Sequence, residues 1–584
     1  MITILGPLVA ALGVLVFPNR SKKWFALAGG LTVLFGLFRI FSGTAPGFSC
    51  AVLSADFTLI FRPDNFSVLF GTLIGLLSLL AIIFSFDYIR EREGYYYGFL
   101  LVFIAAMELT VLAGNFLTLF LGWELMTLSS YFLIIFDGTA EAEQAGKKYF
   151  LMTGLLSLLM LCAIFGIHYT ASRTGVNYHI FLLCFLVAAG VKAGVVPFHT
   201  WLPEAHPAAP SPVSALLSGV MIKVGVYLLI RVLYPLFMPG LTWQVIISFL
   251  GAATILVGVI NALNQHDLKR LLAFHSISQI GYIILGLGCG TGLGLAGALF
   301  HVVNHALFKG LLFLVSGVIL AVYGTKNLDD LSGLFRKLPL TFIACLVASL
   351  SISGVPPFNG FASKWVIYQA LLSRATPDAY LFLVVAMFGS ALTLASFLKV
   401  LAGLFFGPYK APPALRPERL EGGFSFGIPL VLLSLMCILI GVWPYAVLKS
   451  AIQPITENLF GPLVLPGLYQ TPLVTGLLLL ALLIGLLFFL VFSGRIRRSE
   501  TYIGGEQVLP EMDLPATQFY KTLEDGPLAG YYRREAAGVF DLYFLGAEIK
   551  NVLALFAYRL IRIDQWLSFV RNQRCQDVQG EKKQ

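Results

Sequence analysis

The sequence predicts an all-α polytopic membrane protein. Three observations carry this: 58% of its 584 residues are hydrophobic and only 12% charged, apolar runs of membrane-crossing length recur along most of the chain, and Lys and Arg collect on alternate connections. A mean hydropathy of +0.85 lies well above what a soluble domain keeps in water. The net charge of +9 sits in short basic groups between apolar runs, so it reads as membrane topology, and no nucleic-acid partner is expected. Seven cysteines include no CxxC pair, and Cys162, Cys184, Cys345 and Cys437 fall inside apolar runs, as small core residues do. Neither a disulfide framework nor a metal cluster is indicated.

About 20 apolar residues cross the hydrocarbon core. Runs of that order fall at 2–17, 25–42, 66–87, 97–113, 115–136, 149–168, 179–198, 212–236, 243–263, 270–289, 293–323, 338–372, 379–406, 426–448 and 472–493, which predicts about 15 transmembrane helices. The first run lacks a basic leader region and a small-residue cleavage site, so it is expected to be retained. Short cytoplasmic loops collect Lys and Arg. The connections after odd-numbered helices hold Arg20, Lys22, Lys23, Arg90, Arg92, Lys147, Lys148, Lys269, Arg270, Lys326, Arg336, Lys337, Lys410, Arg416 and Arg419. Those after even-numbered helices hold only Arg39, Arg62, Arg173, Arg231, Arg374 and Lys449. This asymmetry predicts a multi-pass protein of the cell (inner) membrane, with the N-terminus outside and the tail from Arg495 on the cytoplasmic side.

Residues 191–223, VKAGVVPFHTWLPEAHPAAPSPVSALLSGVMIK, carry Pro197, Pro203, Pro207, Pro210 and Pro212 between Lys192 and Lys223. Each proline removes a backbone donor and disfavours helix in the residue before it, so helix seven is expected to be broken within the membrane. Such a break is tolerated only where protein or water satisfies the freed groups, and ionisable residues there point to function. Residues 351–365, SISGVPPFNGFASKW, repeat these ingredients in helix twelve with Pro356, Pro357, Gly360 and Lys364. Proline-interrupted helices five apart suggest two five-helix units, helices 4–8 and 9–13, and an odd number per unit makes the second inverted. Two independent proline kinks are the alternative. The predicted organisation is therefore 1–96 for helices one to three, 97–236 for the first unit, 243–406 for the second, 426–493 for the last helices, and 494–584 for a cytoplasmic-side tail. Within that tail, 536–570 reads as an amphipathic lateral helix with Val539, Leu542, Leu545, Ile549, Leu553, Phe556 and Leu560 on one side and Lys550, Arg559, Arg562 and Asp564 interrupting it. A sixteenth span ending outside is the other reading.

Inside the predicted spans stand Glu108, Glu124, Lys192, Lys223, Lys309, Lys364 and Lys399, with His275, His301 and His305. One charge at the bilayer centre costs about 2.5–3.5 kcal/mol on the lenient insertion scale, so this set needs pairing or water. The chemistry it suits is proton transfer. Burial disfavours a charged amine and a nearby carboxylate favours it, so Glu124 is the candidate partner that switches Lys192 between loaded and unloaded. His301, His305 and Lys309 follow one another at i, i+4 spacing, which stacks them along helix eleven as a relay of groups titrating near neutral pH. HxxxH also suits a metal pair, but no third ligand lies nearby and HExxH is absent; histidines merely satisfied by neighbouring helices are the bland alternative. His275 and Lys399 are further, weaker candidates. Glu108 fits a hydrogen bond within the bundle, Arg231 a snorkelling anchor, and His199, Glu204 and His206 either proton-access groups or simple loop residues beside the break.

The strings GWELMTLSSYFLI, VKAGVVPFHTWLPEAHPAAPSPVSALLSGVMIKVGVYLLIR, DLKRLLAFHSISQIGYIILG, HVVNHALFKGLLFLVSG and SGVPPFNGFASKW strongly resemble the antiporter-like proton-pumping subunits of respiratory complex I, a superfamily that includes subunits of energy-converting membrane-bound [NiFe] hydrogenases and Mrp-type cation/proton antiporters. The likeness spans roughly residues 60–410. It implies a fourteen-helix core with two inverted five-helix units and a hydrated polar chain along the membrane midplane. By motif, Glu124 resembles the family's helix-five glutamate, Lys192 its helix-seven lysine and Lys223 its helix-eight lysine. His301, His305 and Lys309 fall in the helix-eleven motif, and Lys364 takes the helix-twelve position, where lysine resembles the most distal complex I subunit. HSISQIGY and YIGGEQ resemble hydrogenase-associated members instead.

The expected function is proton translocation by an antiporter-like subunit of a multisubunit redox-driven complex. This chain offers no cysteine cluster and no nucleotide-binding glycine fingerprint, so no cofactor or metal is expected in it; Fe–S clusters with [NiFe] or flavin are expected in partner subunits. The expected partners are other antiporter-like membrane subunits, a redox module and the lipid bilayer. A sodium/proton antiporter subunit and a passive membrane anchor are the alternatives, the second disfavoured because a scaffold gains nothing from buried lysines.

Overall fold

A computed structural model describes residues 1–43, 48–51, 58–170, 178–415, 421 and 423–463, scattered positions between 476 and 490, and short pieces between 526 and 543. The predicted span at 472–493 and the lateral helix at 536–570 lie almost wholly outside the described residues. By contact the chain divides into two units, Met1–Glu524 and Asp525–Gln584.

The first unit is a helical bundle, in the order α1 (Ile2–Val16), α2 (Asn19–Phe41), a hairpin of β1 (Phe48–Ala51) and β2 (Thr58–Phe61), then α3 (Asn65–Tyr88), α4 (Glu93–Val111), α5 (Phe116–Ile134), α6 (Ala140–Thr170), α7 (His179–Ala193) and α8 (Leu202–Ala208). It continues with α9 (Ser211–Phe237), α10 (Leu241–Leu263), α11 (Leu268–Gly288), α12 (Gly292–Tyr323), α13 (Pro339–Ser353), α14 (Asn359–Arg374), α15 (Pro377–Phe405), α16 (Phe424–Val442) and α17 (Gln453–Phe460). The second unit contributes α18 (Ala529–Ala536). Among the described residues, eleven helices are long and apolar enough to cross a membrane, and α1, α7 and α13 are shorter apolar helices. The chain is a mostly helical polytopic membrane protein. The β1–β2 hairpin, antiparallel with Phe48 opposite Phe61, was not anticipated between the second and third apolar runs.

Helix starts follow side-chain capping. Asp64, Asn115, Asp267 and Thr291 accept from the backbone N–H groups of Ser67, Thr118, Arg270 and Gly294, which satisfies donors that the first turn leaves open. Over their membrane-length cores α9 and α11 are fully buried and α12 nearly so, making them the interior around which the others pack, while Leu236 and Arg270 near their ends are exposed. This explains why no clean amphipathic stripe marks them in the sequence: a helix covered on all sides is apolar all round. Small residues set the closest crossing. A β-carbon at Gly251 or Gly258 of α10 would stand 2.6 Å or 2.5 Å from backbone nitrogens of Leu285 or Ser278 in α11, so only glycine lets these helices meet backbone to backbone.

Two interruptions share one local design. Helix α7 ends at Gly194 with φ +74° and α13 at Gly354 with φ +78°, a left-handed conformation that glycine adopts at no steric cost. In the first, Val195 N–H returns to the Gly190 carbonyl at 2.9 Å and Phe198 N–H to Val195 at 2.7 Å. In the second, Val355 N–H returns to the Leu350 carbonyl at 3.0 Å and Phe358 N–H to Val355 at 3.1 Å. The sequences at these corners, Gly194-Val195-Val196-Pro197-Phe198 and Gly354-Val355-Pro356-Pro357-Phe358, differ at one position. In α9 a π-turn at Leu217–Met221 follows the prolines and loosens the backbone just before Lys223.

Candidate functional site

Lys192 is the penultimate residue of α7 and is fully buried. Its amine donates to Thr127 Oγ1 at 2.7 Å and to the Tyr149 hydroxyl at 3.3 Å, and it lies 5.4 Å and 5.3 Å from the ring centres of Trp123 and Tyr149. Glu124, one residue from Trp123, points elsewhere: Ser157 Oγ donates to its Oε1 at 2.5 Å. Among the described residues no ion pair joins Glu124 to Lys192, although the carboxylate stays within electrostatic reach of the amine. The predicted pair is thus seen apart, with a serine holding the acid and two hydroxyls holding the base.

Lys223 donates to the Ser218 carbonyl at 2.5 Å, five residues back, which the π-turn leaves accessible. The Ser218 side chain meets Ser276 Oγ of α11 at 2.7 Å, Ser276 donates to the Leu272 carbonyl at 3.0 Å, and Lys309 of α12 donates to that same carbonyl at 2.5 Å. Two lysines from different helices are therefore joined through two serine hydroxyls and two carbonyls. Between Lys192 and Lys223 the connection is thinner. The Tyr149 hydroxyl reaches Met221 Sδ at 3.6 Å, a weak acceptor two residues before Lys223.

One and two turns above Lys309 stand His305 and His301, with ring centres 6.1 Å apart. His301 uses both nitrogens, Nδ1 with Ser363 Oγ at 2.9 Å and Nε2 with Gln279 Oε1 at 3.2 Å, while neither ring nitrogen of buried His305 has a partner. Both ring nitrogens of His301 are thus occupied by oxygen partners. The partnerless His305 ring, with the amide oxygen of neighbouring Asn304 likewise bare, is where ordered water would fit. His301 also faces the Tyr282 ring at 5.7 Å. The Tyr282 hydroxyl meets Ser390 Oγ at 2.8 Å, and Ser390 accepts from Lys364 at 3.1 Å. Lys364 donates besides to the Ile352 carbonyl at 2.9 Å and covers the Tyr282 ring at 4.4 Å.

The weaker candidates also have places. His275 Nε2 meets Ser396 Oγ at 2.8 Å, and Lys399 donates to the Leu263 and Gln265 carbonyls at 2.6 Å and 3.1 Å. Glu108 differs from expectation: it is buried and neither carboxyl oxygen has a hydrogen-bond partner. Arg231 snorkels only in part, since it forms a two-pronged pair with Asp64 at 2.6 Å and donates to Ser67 and Tyr227. Beside the first break, Glu204 pairs with buried Lys148 at 2.6 Å, His206 is buried with both nitrogens unpartnered, and Lys269 donates to the Ala209 and Pro207 carbonyls. Sequence reasoning missed the hydroxyls and amide that connect the charged groups: Thr127, Tyr149, Ser218, Ser276, Gln279, Tyr282 and Ser390. Their only signal was polar residues recurring inside apolar helices.

The family model for NADH:quinone oxidoreductase/Mrp antiporter, TM, matches residues 113–393, which contain every one of these groups except Glu108, Asp64, Ser67, Ser396 and Lys399. Hydrogenase-4 component B of Escherichia coli strain K12 is 33% identical over 474 residues, covering 74% of this chain and 70% of that one. The Na(+)/H(+) antiporter subunit A1 of Staphylococcus haemolyticus is 31% identical over 550 residues, covering 85% and 68%. A chain of the membrane-bound sulfane sulfur reductase, an archaeal respiratory membrane complex, superposes with a TM-score of 0.79 at 28% identity, covering 94% of this chain and 95% of that one. The protein belongs to the family of antiporter-like, proton-translocating membrane subunits shared by NADH:quinone oxidoreductase and Mrp antiporters.

Proposed function

We propose that this chain is the proton-moving membrane subunit of a redox-driven complex of the energy-converting hydrogenase or complex I type. Protons pass from Glu124 and Lys192 by way of Lys223, Lys309, His305 and His301 to Lys364. The observation that carries the reading is the cluster of Lys223, Ser218, Ser276, the Leu272 carbonyl and Lys309, because it holds fully buried amines from two helices on either side of two exchangeable serine hydroxyls. Among the described residues Lys192, Lys223, Lys309 and Lys364 make no ion pair, which suits amines that must both take and give a proton. Ser157 on Glu124 supports a switch in which the acid alternates between a serine and the Lys192 amine.

The matched corners at Gly194 and Gly354 support two inverted five-helix units, helices 4–8 and 9–13 of a chain of about 15 spans, with the site between them. The Lys and Arg asymmetry supports an inner-membrane orientation with the N-terminus outside. Fe–S clusters with [NiFe] or flavin belong, on this reading, to partner subunits. A sodium/proton exchanger is the second reading, favoured by the likeness to the staphylococcal antiporter subunit.

Reconstitution of the purified complex in proteoliposomes tests the proposal. Lys192→Ala is expected to abolish proton uptake while leaving part of the electron transfer of the redox module; unchanged uptake would sink it. Uptake that requires sodium but no electron donor would select the exchanger. Nickel and iron in the preparation would indicate a hydrogenase partner, and flavin with quinone reduction a complex I partner.

A further inference from the structure

Helices α11 and α15 meet along a polar seam that shares Tyr282 and Ser390 with the path above and continues beyond it to His275, Ser396 and Lys399. On α11, His275 and Tyr282 are seven residues apart and so share one face. On α15, Ser390, Thr393, Ser396 and Lys399 recur every three residues, along one of the ridges that a helix presents to its neighbours. The pairings run in opposite order on the two helices: the Tyr282 hydroxyl meets Ser390 at 2.8 Å, and His275 Nε2 meets Ser396 at 2.8 Å. At one end, Ser390 accepts from Lys364. At the other, Lys399 caps the end of α10 through the Leu263 and Gln265 carbonyls, and Gln265 is half-buried beside exposed His266. The seam therefore runs from the inner lysine of the second break to the rim of the protein.

We infer that this seam is a second proton route, joining the side of the membrane that carries Lys269, Arg270, Lys326 and Lys410 directly to Lys364. It rests on the proton-translocating reading above. Its members are chemically fit for transfer. A neutral imidazole takes a proton on one nitrogen and releases another from the second, so no net charge need stay at His275. His275 Nδ1 is buried without a partner, as is the nearby Ser278 hydroxyl, which leaves polar atoms for a bridging water. Six residues of helix separate Ser390 from Ser396, about 9 Å of rise, and buried Thr393 stands midway. A proton entering at Lys399 moves to His275 by way of Ser396, then past Thr393 to Ser390 and onto the Lys364 amine, with each donor reprotonated from the rim. The seam then loads Lys364, while release from it still waits on the charge state of the midplane chain that begins at Lys192.

The alternative is that Ser396 only packs His275 in place. The two are separated by testing Ser396→Ala and Ser396→Thr in the reconstituted complex beside Lys192→Ala. Loss of the hydroxyl in Ser396→Ala is expected to slow proton uptake at least tenfold, and Ser396→Thr, which keeps a hydroxyl, is expected to restore most of it. An Ala variant within twofold of the parent, or a Thr variant as impaired as Ala, would overturn the seam while Lys192→Ala still tests the main path. Because a core variant can fail to assemble, Ser396→Cys in inside-out vesicles gives a second reading. A small, membrane-impermeant methanethiosulfonate reagent is expected to label it from the cytoplasmic face above the background of the native cysteines; labelling only from the opposite face, or none in an assembled complex, would also overturn the route.

Discussion

The amine of Lys364 closes the end of the half-helix that precedes it, donating to the Ile352 carbonyl at 2.9 Å while lying across the Tyr282 ring. One side chain thus caps the half-helix before the second corner and also joins the Tyr282–Ser390 pair of hydroxyls. The fit is close, for a β-carbon on Gly354 would approach Lys364 Cδ to 3.0 Å. Lys364→Met should therefore lose proton translocation altogether and strand a helix-terminal carbonyl, a cost of about 1–3 kcal/mol that a thermal melt would register. Lys364→Arg keeps the charge but not the shape, and should fall at least tenfold in uptake. Wild-type uptake by the methionine variant would remove Lys364 from the path.

Ser157, and not Lys192, holds the Glu124 carboxyl group. If the acid must alternate between them, Glu124→Gln should halt coupled uptake, and Ser157→Ala should slow it severalfold by leaving the acid on the lysine side. Infrared difference spectra of the assembled complex would check this, since Ser157→Ala should shift the Glu124 carboxylate band. No shift and normal transport together would show that the serine contact is incidental.

How much of this could be read beforehand depended on the type of signal. Segments of apolar residues are long and redundant, so most helix positions were legible to within a few residues, although α2 begins at Asn19 rather than 25, α6 at Ala140 rather than 149, and α16 ends at Val442 rather than 448. The corners at Gly194 and Gly354 lie in the proline- and glycine-rich stretches that the sequence singles out, because these residues act through local backbone geometry. The β1–β2 hairpin was not legible, being short and placed between two dominant apolar runs. At the site, charged residues announced themselves by their desolvation cost in an apolar chain. Ser218 and Ser276 did not, since a serine in a membrane helix more often bonds its own backbone, as Ser85 does with the Ala81 carbonyl, and only the crossing of α9 with α11 turns two of them into a bridge. The absence of a direct Glu124–Lys192 contact was likewise beyond reach, because one helix rotation decides between lysine and serine.

Asp64 ties the start of α3 to Arg231. Burial alone would raise its carboxyl, but the paired guanidinium and the Ser67 N–H outweigh this and hold it below the usual carboxylate range. A lowered value in the fold means stabilisation that is present at neutral pH and lost as pH falls through that lowered value, below roughly pH 4. Asp64→Asn can still cap the helix but cannot titrate, so it separates the charge from the cap. The variant should melt slightly lower than the parent at pH 7, and the difference should vanish in acid. A constant difference across the range would assign the effect to the cap alone.

Gly441 of α16 sits directly on the second break. A β-carbon there would stand 2.1 Å from the Pro357 carbonyl oxygen and 2.5 Å from the Phe358 carbonyl carbon, and both are backbone atoms that no rotamer change can move aside. Gly441→Ala must therefore displace α16 or the corner between α13 and α14, at a cost of about 1–3 kcal/mol. Gly154→Ala in α6 is the matched control, since nothing lies within 4 Å of its β-carbon and helix propensity there favours alanine by up to about 1 kcal/mol. The control should melt at or above the parent and transport normally. If the corner must hold Lys364 in register for proton transfer, Gly441→Ala should lose more uptake than its melting temperature explains, measured well below the melt. Equal fractional losses of folded protein and of transport would make Gly441 a packing residue only.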